Sequence, residues 1–220
     1  MAFALVQSPT QVTGTAASVS VTVAATGAGN LVVIYASPAS TSTTLTSVTD
    51  NVGNAYVVSS ALDNTPNLRI YMAYGVQVTG GATAITTNWS NGTETKRVGL
   101  DEFSGGASNN TNAFDTSSTG TGTTSTATSV ASFTPAGNGE LIVAMIKASP
   151  QRSITAGTNF TISSGTSTTT VRSEYRLSSS GSETAPGTLA SAPTVWGEIA
   201  MAFKPASGGS TPNSGFFRFM

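Results

Sequence analysis

Hydroxyl and β-branched residues alternate along this chain, and that two-residue period is the strongest limit on its fold. In Ser18-Val19-Ser20-Val21-Thr22-Val23 the valines fall on one side and the hydroxyls on the other. A strand turns successive side chains to opposite faces, so the pattern suits a sheet with one dry face and one wet face. Short runs rich in Val, Ile, Thr, Tyr and Phe recur at 18–24, 31–36, 55–59, 68–76, 82–89 and 97–103. They continue at 129–133, 141–148, 159–162, 169–177 and 195–203, with Gly, Asn, Ser and Pro between them. Such spacing is the mark of many strands joined by turns. No segment keeps a 3.6-residue period, and the helix formers Glu, Lys, Gln and Leu are scarce. The expectation is an all-β fold: an antiparallel β-sandwich, jelly-roll-like, with an extended C-terminal tail.

The chain's 220 residues suffice for one large β domain or two small ones. Only 9% of positions are charged and the formal net charge is −1, while 37 Thr and 31 Ser supply the polarity. Disorder needs high net charge with few apolar residues, so this composition favours folding. The densest basic spot is Lys96-Arg97, far short of a nucleic-acid footprint. A surface with so little charge repels copies of itself poorly, which suits a protein packed in an assembly.

There is no His and no Cys. The commonest general base, the commonest metal ligands and the thiol nucleophile are thereby absent, as is any disulfide framework. No metal or organic cofactor is expected. The opening Met1-Ala2-Phe3-Ala4-Leu5-Val6-Gln7 has no basic n-region, and no stretch approaches a membrane span, so the chain is expected to stay soluble in the cytoplasm that makes it.

A duplication is visible in the sequence, with halves at 15–105 and 125–205. Gly29-Asn30-Leu31-Val32-Val33-Ile34 before Ala36-Ser37-Pro38 echoes Gly139-Glu140-Leu141-Ile142-Val143 before Ala148-Ser149-Pro150. Leu68-Arg69-Ile70-Tyr71 parallels Val171-Arg172-Ser173-Glu174-Tyr175, and 97–103 parallels 196–203. Between the halves, residues 105–128 are almost wholly Ser, Thr, Gly, Asn and Ala, a flexible linker or a surface crossover. One integrated sandwich over 1–205 is the preferred organisation. Residues 206–214 then form a Gly/Ser/Pro tether that ends in Gly215-Phe216-Phe217-Arg218-Phe219-Met220. Exposed, that run is an aggregation hazard, so Phe216, Phe217, Phe219 and Met220 are read as an anchor on a neighbouring subunit; the plainer reading is a last strand on the parent domain.

Asp50-Asn51-Val52-Gly53-Asn54 reads as a hairpin turn between 45–49 and 55–59. Its oxygens make Asp50, Asn51 and Asn54 the best candidates for a Ca²⁺ ion, although their spacing is not that of an EF-hand. The candidate catalytic carboxylates are Asp101, Glu102, Glu174, Glu198 and Asp115. Asp101 and Glu102 are neighbours on one strand and point to opposite faces. Glu174 and Glu198 are expected to pair with Arg172, Arg176 or Lys204. Hydrolysis by paired carboxylates is therefore disfavoured. Trp89 and Tyr74 are the candidate glycan contacts, set against the plainer reading that they pack in the core.

The segment Val48-Thr49-Asp50-Asn51-Val52-Gly53-Asn54-Ala55-Tyr56, with Leu68-Arg69-Ile70-Tyr71-Met72-Ala73-Tyr74 and Val98-Gly99-Leu100-Asp101-Glu102-Phe103-Ser104-Gly105, resembles a loosely defined group of β-sandwich domains. These occur in phage structural proteins and bacterial surface proteins and carry a D-x-x-G-N-x-Y hairpin and an E-[FY]-S-G strand end. The likeness spans roughly residues 15–205. It implies a jelly-roll-like or Ig-like module without enzymatic activity, displayed on a virion or cell surface. Two functional expectations follow. The first is a virion structural protein, a capsid decoration or a tail or fibre component, assembled in the host cytoplasm with copies of itself and other virion proteins. The second is an extracellular carbohydrate-binding module or adhesin domain that meets a surface glycan.

Overall fold

The computed structural model describes residues 1–65, 67–163, 165, 171–177 and 181–206. The first half contributes β1 (Ala4–Gln7), β2 (Val12–Gly14), β3 (Ser18–Thr22), β4 (Asn30–Pro38) and β5 (Leu45–Asp50). It continues with β6 (Val57–Val58), β7 (Leu62–Asn64), β8 (Leu68–Gln77), β9 (Ala84–Trp89) and β10 (Lys96–Ser104). A short helix, α1 (Asn110–Ala113), leads into β11 (Phe114–Gly122), β12 (Ala127–Thr128), β13 (Leu141–Ser149) and β14 (Ile154–Thr155). The last strands are β15 (Thr161–Ile162), β16 (Val171–Arg176), β17 (Gly187–Leu189) and β18 (Val195–Phe203). The fold is all-β and its sheets are antiparallel.

The sheets stack in four layers. An inner sheet of order β1-β10-β4-β8-β6, extended by β2 and β7, faces a second inner sheet of order β11-β18-β13-β16-β15. Outside them lie β3-β9-β5 and β12-β17-β14. The alternation of β4 shows why. Leu31, Val33 and Tyr35 join the core between the inner sheets, while Val32, Ile34 and Ala36 join the core beneath β3-β9-β5. On β13, Leu141, Val143 and Met145 enter the same central core, and Ile142, Ala144 and Ile146 turn outward to the second outer sheet. A strand covered on both faces reads as a continuous apolar run, and β4, β8, β13 and β18 do. The outer β3 keeps one wet face and alternates strictly. One central core, drawn from both halves, joins the two inner sheets.

The halves repeat in detail. Replacing β1, β10, β4, β8 and β6 by β11, β18, β13, β16 and β15 converts one inner sheet order into the other. Leu31 pairs with Phe103 as Leu141 pairs with Phe203. Val57 opposes Tyr74 as Thr161 opposes Tyr175. Gly29 and Gly139 both carry positive φ, +73° and +79°, at the turn that enters each central strand, a conformation open to glycine without a Cβ clash. The register corrects two sequence parallels. With Leu31 matched to Leu141, Ser37-Pro38 falls on Lys147-Ala148, not on Ser149-Pro150. The counterpart of Tyr175 is Tyr74, not Tyr71.

Three further expectations are revised. Residues 50–54 do not close a hairpin, because β5 pairs with β9 in an outer sheet and β6 with β8 in an inner one. The turn crosses between layers. Residues 129–133 form no strand, only a bridge from Phe133 to Glu183. Residues 105–128 are no featureless linker: they hold α1, β12 and the edge strand β11, which pairs along β18 from Phe114 to Gly122. At the other end of the path, the Met1 amino group donates to the Ala206 carbonyl at 3.1 Å, so the two ends of the described chain meet.

Candidate functional site

Asp50 sits at the crossing between layers, and its carboxylate organises the turn. Oδ1 accepts the backbone N–H groups of Val52, Gly53 and Asn54 at 2.9, 2.7 and 3.1 Å. Oδ2 accepts Asn54 Nδ2 at 2.8 Å and the Tyr56 hydroxyl at 2.9 Å. Partial burial pulls the carboxyl upward, but these bonds outweigh it and hold the acid below its ordinary value. Asn51 Oδ1 accepts from Thr83 and Ala84 N–H, and Asn54 Oδ1 accepts from the Thr79 hydroxyl. Each side-chain oxygen proposed for Ca²⁺ is therefore already the acceptor of a protein donor. The signal D-x-x-G-N-x-Y is turn chemistry, and Tyr56 is part of it. Among the described residues no three acidic side chains converge as a metal site would require.

The two aromatic candidates lie in different layers. Trp89 is 5% exposed, between the first outer and inner sheets, with its ring 6.1 Å from Tyr71 in an edge contact. Tyr74 is in the core between the inner sheets, stacked on Phe114 at 5.5 Å and edge-on to Phe203 at 5.3 Å. They form no shared platform. Phe216, Phe217, Phe219 and Met220 lie outside the described residues.

Four of the five candidate carboxylates, all but Asp115, are buried, and each does something different. Asp101 and Glu102 do point to opposite faces. Glu102 accepts Gly27 N–H at 2.7 Å, Asn30 Nδ2 at 2.6 Å and Gln7 Nε2, tying β1 and the turn before β4 to β10. Asp101 lies between the inner sheets, accepting the Tyr35 hydroxyl at 2.6 Å and the Ser163 hydroxyl. Burial raises its pKa against the opposing pull of Ser163, Ser8 and Tyr35. Asp115 pairs with Lys204 at 3.0 Å, and Arg176 pairs with Glu183 at 2.8 Å. So Arg176 and Lys204, two of the basic partners expected for Glu174 and Glu198, are engaged elsewhere, and among the described residues Arg172 makes no ion pair with either. Among the described residues Glu174 Oε2 accepts only Gly157 N–H, at 2.9 Å, and neither Glu198 oxygen accepts a hydrogen bond. Burial pushes Glu174 up to about 7, and burial with the nearby Glu174 pushes Glu198 well above the carboxylate range. Both face the second outer sheet rather than an open cleft, beside Ala144 and Ile146 to which they are paired.

An open groove does exist, and the sequence pointed to only one of its residues. It lies where β6 of one inner sheet faces β11 of the other and has a volume of about 270 Å³. Tyr74, Phe114, Ile199 and Met201 form its floor, and Ser59, Ser60, Ser117 and Thr119 stand at its rim. Among the described residues no charged side chain lines it. Hydroxyls over an aromatic floor can hold a neutral ligand: a sugar ring by stacking and hydrogen bonding, or an apolar peptide by burial. The one lining residue the sequence singled out is Tyr74, a candidate glycan contact.

The fold defines a class, an all-β protein of stacked antiparallel sheets compatible with a β-sandwich. No family model, no curated protein and no solved structure matches the chain.

Proposed function

We propose that this chain is a non-enzymatic structural protein of a virion, a phage capsid decoration or a tail or fibre component. It assembles with copies of itself and other virion proteins, through its Phe-rich C-terminal segment. The observation that supports this reading is where the charge lies. Six carboxylates (Asp101, Glu102, Glu140, Glu174, Glu183 and Glu198) and two lysines (Lys96 and Lys147) are buried. The chain has only nine Lys and Arg and ten Asp and Glu, so few charges remain outside among many hydroxyls and amides. Packing such faces together desolvates few ions, and few like charges oppose it. Sedimentation velocity on the full-length chain tests it. A large symmetric species agrees with the proposal, and deleting 215–220 abolishes that species while leaving the sheets folded.

A second reading, a carbohydrate-binding module or adhesin domain at a cell surface, is favoured by one observation, the neutral aromatic-floored groove. A monomer that binds defined glycans on an array, and loses that binding on Tyr74→Ala, supports this reading and overturns the first.

A further inference from the structure

We infer that the groove between β6 and β11 receives segment 215–220 of a second copy of this chain; this rests on the assembly reading above. The inner sheets meet along two edges, and the internal repeat makes those edges counterparts. One edge joins β1 to β15, the other β11 to β6. Ser163 N donates to Ser173 O at 3.0 Å at the first edge, as Ser59 N donates to Met72 O at 2.8 Å at the second. Phe103 and Tyr175 meet edge-on at 5.4 Å, as Phe203 and Tyr74 do at 5.3 Å. Leu5 pairs with Phe103 where Phe114 pairs with Phe203.

The first edge is sealed, and extended chain seals it. Ser163 donates to Asp101, Gly165 N–H to Ser8 Oγ at 2.9 Å, and Gln11 N–H to Gly165 O at 2.6 Å. Residues 8–11 thus run as a strap across the junction. At the second edge Met201 occupies the position of Asp101 and offers Ser59 no acceptor. Ser59 instead donates to Ser60 O at 3.0 Å and accepts Met72 N–H at 3.1 Å. Among the described residues no such strap covers the groove, which stays open beside the point where Asn64 Nδ2 crosses the junction to the Gly122 and Trp196 carbonyls at 3.1 and 2.8 Å. Tyr74, 7% exposed, lines it with a hydroxyl that makes no hydrogen bond among the described residues.

The repeat therefore identifies the kind of occupant: a short extended peptide that covers an aromatic pair. The absence of charge in the lining selects an apolar one. Within this chain the run Phe216-Phe217-Arg218-Phe219-Met220 has that chemistry. In extended backbone Phe217 and Phe219 fall on one side, suited to the floor of Tyr74, Phe114 and Met201, while Arg218 points away to solvent. Residues 207–214 span up to about 26 Å when extended, which is enough to leave one copy and reach another.

The test uses full-length chains. Ser117→Trp and Ser60→Trp fill the groove from opposite rims, and the triple variant Phe216→Ala, Phe217→Ala, Phe219→Ala keeps the groove and loses the ligand. By sedimentation velocity, wild type assembles, while either Trp variant and the triple variant are monomers with melting temperatures within a few degrees of wild type. Mixing Ser117→Trp with the triple variant restores one-to-one dimers and nothing larger, since only one tail and one groove remain. If wild type assembles and both Trp variants assemble equally, the groove assignment is overturned and the assembly reading stands. If wild type is a monomer, the assembly reading itself fails, and this inference with it.

Discussion

Ser163, from the second half of the chain, donates its hydroxyl to Asp101 in the first half. The bond crosses the plane where the two inner sheets meet, and the buried Tyr35 hydroxyl completes the same acceptor at 2.6 Å. An ionisable group at that depth is held by its donors, so each donor matters more than its count suggests.

Ser163→Ala is expected to cost about 1–3 kcal/mol, because it removes a bond to a buried carboxylate and leaves that oxygen poorly satisfied. Urea unfolding measures it. A loss below a few tenths of a kcal/mol means that water replaces the hydroxyl.

Glu174 makes stability depend on pH. Its ordinary pKa of 4.5 is raised to about 7 by burial, so the folded state binds the proton more tightly than the unfolded chain. The stabilisation is fully present below about 4.5 and is lost as pH rises through about 7. Glu174→Gln retains an acceptor for Gly157 N–H and removes the titration. Relative to wild type it is expected to be more stable at pH 8, by up to about 3 kcal/mol, with little difference at pH 4. Parallel pH profiles of the two proteins refute the assignment.

Asp50→Ala strips the turn of an acceptor used by five donors and is expected to lose about 2–4 kcal/mol. Asp50→Asn recovers part of that loss through its remaining carbonyl oxygen. Since those oxygens are already engaged, EDTA is expected to leave the melting temperature of wild type unchanged. A drop of many degrees places a cation in the turn after all.

Gly157→Ala directs a Cβ onto the Pro186 carbonyl oxygen. The backbone on one side must move, and the Gly157 N–H that serves Glu174 moves with it. A cost above about 2 kcal/mol is expected in thermal unfolding; a neutral variant shows the loop to be slack.

The inner strands were legible because burial on both faces writes itself as unbroken apolar runs, as in Leu141-Ile142-Val143-Ala144-Met145-Ile146. The outer β3 was legible by its alternation. β11 was not, since an edge strand of Phe-Asp-Thr-Ser-Ser-Thr-Gly-Thr-Gly has almost no apolar face and matches the composition of a linker. The turn at Asp50 was correctly placed, yet local chemistry fixes only the reversal; the partner of each flanking strand is set by distant packing. The same limit hid the groove. Its residues come from 57–60, 74, 114–119 and 199–201, and only the stacking of two sheets brings them together.

The contact between Met1 and Ala206 has a practical consequence. A unit whose entry and exit lie side by side can be spliced into a loop of another protein at little cost in loop strain. The same adjacency makes it a natural subject for circular permutation, with a short bridge over the old ends and a new opening at an exposed turn such as the one at Gly53.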